Sequence, residues 1–148
     1  MTLCSGMRRD YPDHPIVGVL AVVRRAGEVL IVQRARPPSV GYWGFPGGVQ
    51  ELGETVFAAA RRELQEETGV DALPVGSLPV FDVIRPDEAG RIRSHWMLVP
   101  VLCDWCVGEG TLSEEVAALR WMAPEAIAGS GLVLLPDLVR LAREAFAA

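Results

Sequence analysis

The alternation of apolar and polar residues divides the chain into short elements. IVGVLAVVRR and EVLIVQR are β-branched runs separated by Ala26 and Gly27, a pattern that predicts an antiparallel hairpin. RPPSVGYWGFPGGVQELGE is too rich in Gly and Pro for a regular element and reads as a long ordered loop. From Thr55 to Thr68 the signals turn helical: Thr55 can cap the start, Ala58 to Ala60 are good helix formers, and Gly69 suits the left-handed position after the last turn. LPVFDVI and IRSHWMLVPVLCDW read as strands around the turn RPDEAGR. A loop, a short strand ALRWM and a terminal helix from about Leu135 to Ala147 follow. The order β, β, loop, helix, β, β, β, helix predicts an α/β fold, a mixed sheet between helices, in one domain over residues 1–148.

Within the helix, Glu63, Glu66 and Glu67 stand at i, i+3 and i+4 and so share one face, within roughly a 100° arc. That arc continues through Val56, Ala59 and Ala60, a packing stripe, whereas Arg61, Gln65 and Thr68 take the opposite, solvent-like side. Three carboxylates beside a packing stripe repel one another and raise one another's pKa unless a cation is present. All-oxygen ligands favour Mg²⁺ or Mn²⁺, ions that keep waters and substrate phosphates in their shell, so the pattern points to phosphate chemistry.

Composition narrows the partners. Half the residues are hydrophobic, and the net charge of −5 argues against a general affinity for nucleic acid. All fourteen basic residues are arginine, which leaves forked donors for phosphate. No apolar run approaches the roughly 20 residues of a membrane span and MTLCSGMRRDYPDHP lacks a signal-peptide core, so the expected compartment is the cytoplasm, without membrane contact. Cys4, Cys103 and Cys106 cannot all pair internally, which fits a reducing compartment; Cys103 and Cys106 read as free thiols.

Residues 48–70, GVQELGETVFAAARRELQEETGV, match at every defined position the pattern GX5EX7REUXEEXGU, with U aliphatic. The chain therefore resembles the Nudix hydrolases. The resemblance implies an α/β/α sandwich and Mg²⁺- or Mn²⁺-dependent hydrolysis of a nucleoside diphosphate linked to another moiety. It implies that Glu63, Glu66 and Glu67 coordinate the metal, with one acid also deprotonating the attacking water, and that the Gly47 carbonyl is a further ligand. Glu54 and Arg62 are implied to form a structural ion pair, with Gly48 and Gly69 the structural glycines of the motif. Relatives borrow another acid from a later loop; LSEEVAALRWM offers Glu114 and Glu115, and spacing from Trp121 favours Glu115.

Arg34 and Arg36, beside the glycine loop, are candidate diphosphate ligands, with Arg93 and Trp43 as further substrate contacts. Tyr42 and Phe45 share with Trp43 the choice between stacking on a base and packing the loop. His95 alternates onto the same strand face as Arg93 and is a weaker candidate for general base. Pro86, sixteen residues after Val70, resembles the proline that marks ADP-ribose pyrophosphatases, although turn geometry alone also explains a proline in RPDEAGR. The expected substrate is ADP-ribose or a related nucleotide sugar. The alternatives are a (d)NTP pyrophosphohydrolase of the housecleaning type and a catalytically silent nucleotide-binding module. Relatives often dimerise, so a homodimer is a further expectation of the resemblance, but the sequence carries no interface pattern of its own.

Overall fold

A computed structural model describes residues 8–147, so Cys4 and the rest of the opening heptapeptide lie outside the described residues. Strands β1 (Ile16–Arg25) and β2 (Glu28–Arg34) form the predicted hairpin. Its two-residue turn has Ala26 at φ 49° and Gly27 at φ 82°, the left-handed pair whose twist matches that of antiparallel strands. The predicted loop contains two short strands, β3 (Trp43–Gly44) and β4 (Gly47–Val49). Helix α1 (Val56–Thr68) is bounded as its caps require: Thr55 Oγ1 accepts from Ala58 N at 3.0 Å, and Gly69 takes φ 73°.

Strand β5 (Asp71–Ser77) was not legible, because Pro74 and Gly76 read as breakers; it lies at the sheet edge and bulges between those residues, where they are tolerated. Strands β6 (Phe81–Pro86) and β7 (Ile92–Val107) form the predicted second hairpin, with β6 starting three residues later than the expected Leu78. Strand β8 (Val116–Met122) is followed by an unpredicted short helix, α2 (Pro124–Ala128). The terminal helix, α3 (Leu138–Glu144), is shorter than expected: Leu135 donates its N–H to Trp43 O at 2.9 Å, and Pro136 disfavours helical geometry at the residue before it.

All eight strands form one mixed sheet in which β1 and β7 run parallel, from Ile16 opposite Trp96 to Arg24 opposite Asp104. Strand alternation sends Val19, Ala21, Val23 and Leu30 to one face, against Ala59, Ala60 and Leu64 of α1. It sends Val22, Val29 and Ile31 to the other, against Ile127, Leu138 and Leu141 of α2 and α3, which completes the α/β/α sandwich. Along one edge, β1 pairs with β2 only at Arg24 and Arg25, while Gly18 to Leu20 pair with β4. Strand β2 thus leaves β1 where β4 joins it, and the parting strands place the glycine loop opposite the far end of β2. Among the described residues, no helix is long and apolar enough to cross a membrane.

Candidate active site

The helix presents its acids unequally. Leu64 and Thr68 are fully buried, Glu63 and Glu67 half-buried, and Glu66 exposed. Thr68 thus departs from its expected solvent-like side. Its Oγ1 donates to Leu64 O at 2.7 Å and accepts from Val70 N at 3.2 Å, so local bonds satisfy the hydroxyl inside the core.

Two glycines let the backbone of β4 meet the carboxylates. A Cβ at Gly47 would collide with Val19 O, and one at Gly48 would collide with the Glu63 carboxyl. Gly47 N donates to Glu67 Oε1 at 3.3 Å, and the Glu63 carboxyl neighbours that of Glu67. Burial, then Glu63, and at longer range the charge of Glu115 push the Glu67 carboxyl up to about 9. Replacing Gly48 by Ala is expected to displace the Glu63 carboxyl and lower turnover roughly 100-fold, as a misplacement on the order of 1 Å does, with the melting temperature recorded in parallel to separate site damage from unfolding.

Arg62 organises the opposite side. Its Nε and Nη2 donate to the two Glu54 oxygens at 2.7 and 3.0 Å, Nη2 reaches Val49 O at 3.1 Å, and Nη1 donates to Glu63 at 2.6 Å and Glu66 at 3.3 Å. The expected Glu54–Arg62 pair is therefore the hub of a wider network, and its guanidinium holds the Glu54 carboxyl below the ordinary range.

The structure brings Glu63, Glu67 and Gly47 together, with Glu66 tethered at the rim, although no three acidic, His or Cys side chains yet converge at ligating distance among the described residues. Glu115 lies at the end of β2, where its carbonyl accepts from Ala35 N at 3.0 Å, and its charge helps raise the Glu67 carboxyl. The donor set is entirely oxygen and Glu67 has no basic partner among the described residues, so the cluster fits a hard divalent cation.

Two expected substrate contacts are not at this site. Trp43 is buried in the core on the α2–α3 face, packed with Phe45, so it has no free ring for a base; Tyr42 alone of the three aromatics is exposed. Arg93 lies six residues, roughly 20 Å, along β7 from Val99, which faces Val19 beside Gly48, and it approaches Asp10 at 3.7 Å instead. His95 is bonded to Asp82 on the same remote stretch. Arg34 ends β2 and Arg36 follows it: Arg34 Nε donates to Pro38 O at 2.7 Å, closing its own loop, and Arg36 pairs with Glu114 at 3.0 Å. Cys103 is buried and Cys106 exposed, both free thiols, and burial pushes Cys103 up to about 12.

Sequence reasoning missed the clasp that carries the acidic loop to the helix. Thr111 donates N–H and Oγ1 to the Thr68 carbonyl at 2.7 and 3.3 Å, and Trp121 Nε1 donates to Glu109 O at 2.9 Å. Arg25 bonds Glu109 at 2.6 Å with its guanidinium 3.9 Å from the Trp121 ring. Only the left-handed Gly108 and Gly110 hint at this loop in the sequence.

The model of the NUDIX domain family matches residues 12–147, nearly the whole chain. The chain belongs to the NUDIX family. This NUDIX domain is 33% identical over 89 residues to an ADP-ribose pyrophosphatase of Methanocaldococcus jannaschii, a stretch covering 60% of the chain and 53% of that protein. It is 30% identical over 113 residues to phosphatase NudJ of Escherichia coli, covering 76% and 71% respectively. The crystal structure of a MutT NUDIX hydrolase from Burkholderia pseudomallei superposes with a TM-score of 0.70 at 31% identity, over 91% of this chain and all of that one. The NUDIX domain thus spans about half the length of the archaeal relative and most of the bacterial ones.

Proposed function

We propose that this NUDIX domain hydrolyses the diphosphate bond of a nucleoside diphosphate linked to another moiety, with Mg²⁺ or Mn²⁺ as cofactor and ADP-ribose or a related nucleotide sugar as substrate. The observation that carries the reading is the half-buried Glu67 carboxyl, which accepts from Gly47 N beside Glu63 and has no basic partner among the described residues. Glu63, Glu66, Glu67, the Gly47 carbonyl and Glu115 would hold the cation. When bound, a divalent ion supplies Lewis-acid polarisation of phosphorus and charge for the leaving phosphate.

The chain's own groups do the rest. One of Glu63, Glu66 and Glu115 accepts the proton of the attacking water, and Glu66, the most exposed helix acid, has the freest access to solvent. Arg34, at the end of β2, is a candidate to orient the diphosphate. Gly47 and Gly48 permit the close approach of backbone to carboxylate. Glu54 and Arg62 keep the glycine loop on the helix, a positioning task.

The ADP-ribose reading draws on the archaeal relative's activity rather than on Pro86. That proline ends β6 at a hairpin tip, where Asp87 Oδ1 accepts from Ala89 and Arg91 N–H, so turn chemistry accounts for it. Likeness to a MutT protein favours the second reading, a (d)NTP pyrophosphohydrolase. The intact acid set speaks against a silent binding module. Product analysis over nucleotide sugars, dinucleotides and triphosphates decides: AMP plus ribose 5-phosphate from ADP-ribose supports the first reading, and preferential pyrophosphate release from triphosphates overturns it.

A further inference from the structure

We infer, on the metal reading above, that Arg25 is a positioning residue for the cation site, acting through the loop between β7 and β8 on the last turn of α1. Arg25 ends β1, and its guanidinium lies 3.9 Å from the centre of the Trp121 ring and 5.2 Å from that of Trp105. Its Nη1 donates to Glu109 Oε2 at 2.6 Å. Both indoles hold the same stretch of loop: Trp105 Nε1 donates to Gly108 O at 2.7 Å, and Trp121 Nε1 to Glu109 O at 2.9 Å. One cation thus joins two rings to the loop that they grip.

The fastened loop lies on the end of the acid-bearing helix. The last carbonyls of a helix lack partners within it. Here Thr111, two residues beyond Glu109, gives both its N–H and its Oγ1 to the Thr68 carbonyl, at 2.7 and 3.3 Å. Gly108, at φ 102°, runs against the chain as it leaves the helix, where a Cβ would meet Gly69 O and Val70 Cα at 3.2 Å. Thr68 follows Glu67 directly, so the turn that carries Glu66 and Glu67 is held from outside the helix as well as by its own bonds. Trp105 and Trp121 also pack against the core cluster that contains Leu64 and Val70, on either side of that turn. Arg25 itself pairs with Glu109 and not with an acid of α1, so its action on the site is indirect.

The test is Mn²⁺ binding without substrate, read as loss of the free-ion EPR signal well below the melting temperature, for the full chain and for Arg25→Gln, Arg25→Lys, Trp121→Phe and Glu67→Gln. Amide hydrogen exchange at Thr111 is followed in parallel. Removing a positive charge by itself tightens the binding of a cation. A positioning role has the opposite sign. Arg25→Gln is expected to weaken Mn²⁺ binding about ten-fold, the low end for partners that orient a metal ligand, and to speed exchange at Thr111. Lysine keeps the charge beside the rings but loses the fork, and should restore part of both. Trp121→Phe keeps a ring for the cation but releases the Glu109 carbonyl, so it should act in the same direction and more weakly.

Unchanged or tighter Mn²⁺ binding in Arg25→Gln, with binding weakened in Glu67→Gln, would overturn the inference and leave the metal reading standing. Weaker binding with exchange at Thr111 unchanged would also overturn it, since the effect would not pass through the loop. So would a lysine variant no better than the glutamine one, because a cation beside the rings would then count for nothing. Should Arg25→Gln not fold, Arg25→Lys carries the test, and an affinity equal to or above that of the parent overturns the inference. If Glu67→Gln binds Mn²⁺ like the parent, the metal reading itself fails and takes the inference with it.

Discussion

Glu67→Gln is expected to lose divalent-metal-dependent turnover by on the order of a thousand-fold or more, while the metal-free protein melts at a higher temperature than the parent. The two effects have one cause. Glu67 is a half-buried carboxyl beside Glu63, so ionising it opposes folding, yet its ionised form is what a cation requires. Glutamine keeps the size and can still accept from Gly47 N, but carries no charge to repel or to ligate.

The same group sets a pH dependence. Below about pH 4.5 folded and unfolded chains both hold the Glu67 proton. As the pH rises toward 9 the unfolded chain releases it while the folded chain retains it, so this site's contribution to stability declines across that window and then levels off. Metal must displace the proton, so Mg²⁺ affinity should rise with pH over the same range. Thermal melts from pH 5 to 9, with and without Mg²⁺, should show a metal-free decline that is shallower in Glu67→Gln and reduced by the ion.

The second large effect is expected at Arg62. Arg62→Ala leaves Glu54 and Glu63 as half-buried carboxylates without their guanidinium and frees Val49 O, which joins the glycine loop to the helix. Removing one partner of such a pair costs about 3 kcal/mol, near the low end for buried pairs because these groups retain some solvent. For a chain of this size that is roughly 10 °C in melting temperature. Lysine should recover less than half, because a point charge cannot reproduce the two-pronged contact with Glu54 at 2.7 and 3.0 Å. Calorimetry of the three proteins checks both statements. A melting temperature for Arg62→Ala within a few degrees of the parent would show that the network is ornamental to the fold.

The parts of this molecule that were legible in advance are those fixed by local chemistry. Thr55, Gly69 and the spacing of Glu63, Glu66 and Glu67 lie on one helix, where period and caps suffice. The hairpin at Ala26 and Gly27 was legible for the same reason. Thr68 was misplaced because a helical wheel assigns sides by polarity, and a hydroxyl bonded to its own helix can enter the core. Register was out of reach: alternation placed Arg93 on a face, but only the pairing of Val19 with Val99 and Gly48 shows that it lies far from the acids. The fate of Trp43 depended on residues ninety positions away, since Val133 and Leu135 close the backbone of β3 around it. Glu114 and Glu115 share a turn closed by Ser113 and Val116 and both approach Arg36, contacts that sequence spacing does not encode.

The proposed function requires that the acids of α1 form a divalent-cation site governed by Glu67. Its most direct measurement is a Mn²⁺ titration of the metal-free protein at pH 8, following bound ion by EPR and released protons in weak buffer. Saturable binding accompanied by proton release is expected, with both lost in Glu67→Gln. Binding of equal affinity in Glu67→Gln, or binding without proton release in the parent, would contradict it.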